Sequence, residues 1–81
     1  MSTQTPVISK DTARHVLWMF GTEGGYRPGT CTQKLLELLA YADPENTAKL
    51  AVAFPAEAEA VRIAKYERDG AEQLLRIAGA A

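Results

Sequence analysis

The chain has one cysteine, Cys31, and one histidine, His15. It therefore cannot close an internal disulfide, and a structural zinc site built from Cys and His is out of reach. Packing, with oligomerisation as a further source, must hold the fold together. Aromatic residues make up only 7%, and the one strand-like segment, Val7-Ile8, is too short to pair. No apolar run approaches the roughly 20 residues that span a bilayer. A basic excess is missing as well, since nine Lys and Arg face ten Asp and Glu for a net charge of −1. That balance argues against a protein whose main task is neutralising phosphates.

What is present points to helix. The 47% hydrophobic and 23% charged fractions are those of an ordinary globular domain. Alanine is abundant, and it gives up no side-chain entropy in a helix. The 81 residues suffice for one domain. A chain of this size buries only roughly 60–65% of its unfolded surface, so its stability margin is thin. The start, Met1 to Pro6, lacks the basic and apolar regions of a signal peptide. With an unpaired cysteine besides, the expected compartment is the cytoplasm.

Residues 1–8 are polar around Pro6 and read as a flexible tail, with an arm that folds onto a partner as the alternative. Residues 9–79 read as one all-helical domain, a compact orthogonal bundle of about five short helices. Ser9 is the expected cap of the first, running from Lys10 to about Phe20. Its apolar stripe is Ala13, Val16, Leu17 and Phe20, widened by Trp18 and Met19, so the helix is either central or partly exposed for a partner. Four glycines and Pro28 between Gly21 and Gly29 cannot continue a helix. Thr30 with Gln33 reads as a capping box for the second helix, whose apolar face is Leu35, Leu36, Leu38, Leu39 and Ala42. Asp43-Pro44 opens a third, with Leu50, Ala51 and Phe54 inward and a Glu45–Lys49 pair outside. Phe54-Pro55 makes the next corner, leading into a fourth helix to about Arg68 with Ala58, Val61 and Tyr66 near one side. Asp69 with Glu72 reads as a second capping box. The last helix buries Leu74, Leu75 and Ala78, pairs Glu72 with Arg76, and stops at Gly79.

Little in this pattern carries chemistry. The glycine loop has no Gly-Lys-Ser/Thr ending and no preceding strand, so it is neither a P-loop nor a dinucleotide fingerprint. It reads as a sharp connection or, alternatively, as a binding loop, because Tyr26 and Arg27 are common interface anchors. Cys31, at the start of the second helix, would be a nucleophile only beside His15 and an oxyanion site. It reads instead as a small residue filling a gap. His15 follows Asp11 by four residues, a spacing that lets the carboxylate orient it. Glu57 and Glu59 diverge on their helix and make a poor acid/base pair. Arg62, Lys65 and Arg68 partly share a side but are diluted by Glu59, Glu67 and Asp69.

The stretch Gly25-Tyr26-Arg27-Pro28-Gly29-Thr30, followed by Leu35-Leu36-Glu37-Leu38-Leu39, Ala42-Asp43-Pro44-Glu45-Asn46, Leu50 and Phe54-Pro55, resembles a group of small uncharacterised proteins of actinobacterial phages and prophages. The resemblance runs from about Gly24 to Ile77, with Cys31 standing where Ser or an aromatic is expected. It implies a phage accessory protein in the host bacterial cytoplasm that binds a host or phage macromolecule. The expectation is thus a non-catalytic protein-interaction module with no cofactor or metal. Its partner is a host or phage protein, or a second copy of itself, met through Trp18, Glu23, Tyr26 and Arg27. The alternative is a small helix-turn-helix-like DNA-binding protein, and an enzyme using Cys31 and His15 is a distant third.

Overall fold

A computed structural model describes residues 6–79, and the Met1–Thr5 part of the expected tail lies outside them. The fold class is as expected, an all-α bundle of five helices. They are α1 (Lys10–Met19), α2 (Thr30–Tyr41), α3 (Pro44–Ala53), α4 (Pro55–Tyr66) and α5 (Gly70–Ile77). Among the described residues there is no strand.

Local chemistry explains most boundaries. Ser9, extended at ψ 160°, accepts from the Thr12 N–H at 3.1 Å and starts α1. The helix ends in a Schellman turn. Gly21 N–H donates to the Trp18 carbonyl and Thr22 N–H to that of Leu17, which requires the left-handed backbone of Gly21, φ +72°. Asp43 caps α3 through the Asn46 N–H at 2.8 Å, with Pro44 at the first position. Phe54, at φ −131° and ψ 65°, ends α3 and begins α4 in one residue, as the following proline demands.

Both capping boxes dissolve. The residue before α2 is Gly29, whose carbonyl accepts from the Gln33 N–H, while Thr30 is already helical. The Gln33 side chain is drawn away by Arg27 and Glu37. Asp69 does precede α5, but its carboxylate accepts from the Gln73 side chain at 2.7 Å instead of capping a backbone N–H. Asp69 also takes Arg76, at 3.8 Å, away from Glu72. Among the described residues the ion pairs join Arg62 to Glu59 and Glu67 and Arg76 to Asp69, so the expected Glu45–Lys49 pair does not form.

The hub is α4. It packs against each of α1, α2, α3 and α5, while α1 also meets α2 and α5. Ala58, Ala60, Val61 and Ile63 are all buried, and on a helix those positions point in several directions, so only the strip bearing Glu59, Arg62 and Tyr66 stays outside. The larger core side chains are Val16 and Leu17 of α1, Leu36 and Leu39 of α2, and Leu74 of α5. Ile8, expected within the tail, packs against this core. The α4–α5 corner depends on Gly70, which is buried so close to α4 that a Cβ there would overlap the Ile63 carbonyl.

Four expected core residues face water. Leu38 is 48% exposed, Phe20 and Phe54 also stand out, and Tyr66 is 72% exposed. Of the five helices α3 is the least anchored, with no fully buried residue, and its substantial packing is on α4 alone.

Leu74→Ala should lower stability by about 2–5 kcal/mol, as a fully buried leucine does when it leaves a cavity. Leu38→Ala should cost no more than about 1 kcal/mol. Urea denaturation compares the two, and equal losses would contradict the assignment of Leu38 to the surface.

Candidate interaction surface

The loop from Gly21 to Gly29 lies against α1, held from several directions. The Arg14 guanidinium donates to the Gly24 carbonyl at 2.6 Å, and the Tyr26 N–H donates to the Arg14 carbonyl at 3.3 Å. Gly25 makes this approach possible, since a Cβ there would overlap the Trp18 nitrogen and the Arg14 carbonyl oxygen. Gly24, at φ +95°, adopts a backbone that other residues avoid. Pro28 is buried. The loop is therefore a fitted part of the fold.

Tyr26 is the centre of this contact. Its hydroxyl donates to the Asp11 carboxylate. His15 meets its ring edge-on, with centroids 5.3 Å apart at 80°, and the Arg14 guanidinium lies 5.9 Å from the ring centroid. The hydrogen bond to Asp11 is the main reason the phenol pKa is raised, with the nearby carboxylate charge adding to it and Arg14 opposing. So Asp11 engages Tyr26, and His15 serves as a wall of the Tyr26 seat. One side of Tyr26 is held this way while 44% of the residue remains exposed.

The other expected anchors divide. Arg27 is exposed and donates to Gln33, which in turn donates to Glu37, tying the loop to the outer side of α2. Glu23 is exposed, whereas Trp18 is half-buried. Cys31 is an exposed residue at the second position of α2. No group of three or more His, Cys, Asp or Glu among the described residues is arranged to hold a metal ion.

Two surfaces were not anticipated. Met19 and Phe20 at the end of α1 meet Ala40 and Tyr41 of α2 around a shallow depression that also includes Glu37. Tyr41 there is 89% exposed, and Leu38 stands one turn before it. The second is a groove of about 550 Å³ between α3 and the pair α2 and α4, floored by Leu39, Ala48, Ala51, Ala58 and Val61. A continuous exposed ridge on α2 could have been suspected from Leu38 and Tyr41, three apart; the groove has no comparable sequence signal.

The basic residues of α4 do not form a free cationic face. Arg62 is clamped by Glu59 at 2.7 Å and Glu67 at 3.0 Å. Those carboxylates raise the Arg62 pKa, and Arg62 lowers that of Glu59. Lys65 donates to the Ala40 carbonyl at 2.9 Å, satisfying one of the last acceptors of α2.

Comparison with protein-family models, curated proteins and solved structures finds no match to this chain.

The Tyr26 phenol, isolated by difference against Tyr26→Phe, should titrate above the free-tyrosine value of about 10, and Asp11→Ala should bring it back down. Because the folded-state pKa is the higher one, the stabilisation is complete below the unfolded value. It is lost as pH rises through the folded value. An Asp11→Ala midpoint unchanged from wild type would contradict the assignment. Gly25→Ala should separate the loop from α1, seen as loss of the ring-current shifts on His15 by NMR.

Proposed function

We propose that this chain is a non-catalytic protein-interaction module. Its contact surface comprises the Gly24–Thr30 loop and the adjoining outer sides of α1 and α2, with Trp18, Glu23, Tyr26 and Arg27 as the loop-side residues. The observation that carries the reading is the depression where the exposed Phe20 and Tyr41 meet beside Met19 and Ala40, with Leu38, also exposed, three residues before Tyr41 on α2. Contiguous exposed apolar surface on a small domain marks an interaction site more often than isolated apolar residues do. The fixed seat of Tyr26 adds support, since an aromatic already ordered loses little freedom on binding. In the phage-accessory setting that the sequence resemblance suggests, the partner is a host or phage protein.

The DNA-binding alternative has less support. Of the three α4-side cations, Arg62 is neutralised by two carboxylates and Lys65 is engaged by a backbone carbonyl. Phosphate binding through this face would have to break those bonds.

Affinity capture from the host, compared with capture by Leu38→Lys/Tyr41→Lys, tests the proposal. A protein retained by the wild type and lost at least tenfold by the variant is the expected result. No specific retention, or retention equal in both, would overturn it. A duplex-DNA titration at low salt should show no shift.

A further inference from the structure

The groove beside α3 holds about 550 Å³, an ordinary size for small-ligand sites, which run from roughly 300 to 1,000 Å³. Its walls are mostly apolar, with Ala48 and Ala51 of α3 facing Leu39 of α2 and Val61 of α4. The α3 side chains are too short to close the gap, and α3 buries nothing fully. The space is open to an apolar body, which would regain dispersion contacts that the chain itself forgoes.

One uncompensated positive charge stands among these walls. No Asp or Glu lines the groove, whereas Arg62 and Lys65 do. Arg62 is committed to Glu59 and Glu67. Lys65 forms no ion pair among the described residues. Its ammonium donates to the Ala40 carbonyl at 2.9 Å and lies 5.0 Å from the centroid of the Tyr66 ring. An ammonium carries three donors, so two are left for a ligand.

The two contacts also hold the ammonium in place, and a long side chain already ordered gives up little freedom on binding. Lys65 is half-buried, so its attraction for an anion is less screened than that of a cation in open water. The charge count then selects the ligand. One negative charge balances Lys65. A second would go unmatched, because Glu59 and Glu67 already outnumber Arg62 beside the groove, and a cation would meet Lys65 with no carboxylate to offset it.

We infer that the α3–α4 groove is a binding site for a small amphiphilic monocarboxylate. Its hydrocarbon body lies between α3 and the wall made by Leu39 and Val61, and its carboxylate accepts from Lys65 Nζ. This site is separate from the surface assigned to the protein partner, so either assignment can fail without the other.

Octanoate, kept below its micelle concentration, tests this on the full chain by amide NMR, with octanol as the uncharged comparison. Saturable shifts are expected at Ala48, Ala51, Val61 and Lys65, with a dissociation constant of about 1 mM or tighter. Lys65→Met keeps the apolar reach of the side chain and should weaken octanoate about fivefold while leaving octanol unchanged. Lys65 also holds the end of α2, so circular dichroism is read on that variant, and a second variant tests the site independently. Ala48→Leu, at an exposed position of α3, narrows the groove and should weaken both ligands about fivefold with the fold intact. Tyr41→Lys should weaken neither. Absence of saturable shifts up to about 10 mM octanoate would overturn the inference. So would shifts centred on Phe20 and Tyr41, or octanoate binding that survives either Lys65→Met or Ala48→Leu.

Discussion

The close approach of four helices to α4 is the constraint from which the remaining features follow. Ala58 and Ala60 are small enough for neighbours to come in on several sides, and Val61 and Ile63 fill the space between them. A helix covered over most of its circumference has little surface left for solvent-facing charge. What remains is the strip where Arg62 lies between Glu59 and Glu67. The positive charges that look, in the sequence, like a possible phosphate-binding row are thus the polar edge of the hub. Lys65 serves it too, by satisfying the end of α2.

From that hub the elements differ in how firmly they are held. α1, α2 and α5 each send at least one fully buried side chain into the common core, through Val16 and Leu17, Leu36 and Leu39, and Leu74. α3 is set between two proline corners and leans on α4 without burying any residue completely. The groove beneath it is the geometric remainder of that arrangement. The glycine loop shows the opposite case. It lacks regular structure, yet Gly25 brings it against the α1 backbone and Tyr26 locks it there. Irregular backbone and weak anchoring therefore fall on different segments of this protein.

This explains which parts of the molecule were legible in the sequence. Signals acting within a few residues held: the Ser9 cap, the Asp43-Pro44 start, the Phe54-Pro55 corner and the Gly79 stop all lie where backbone sterics put them. The capping boxes failed because longer-range partners compete for the same side chains, Arg27 and Glu37 for Gln33, and Gln73 for Asp69. Leu38 and Tyr66 were misplaced because periodicity gives the apolar side of a helix but not how wide a neighbour covers it. In the loop, Tyr26 and Arg27 could be singled out by residue type. Their ties to Asp11, Arg14 and Gln33 depend on a fold-back that no local spacing encodes.

Residue-resolved native-state hydrogen exchange tests the central claim, that α4 is the scaffold and the other elements are graded by their hold on it. At low micromolar concentration, the α4 amides should exchange only through global unfolding and the α3 amides through a local opening of clearly lower free energy. Exchange of α3 at the same free energy as α4 would contradict the account.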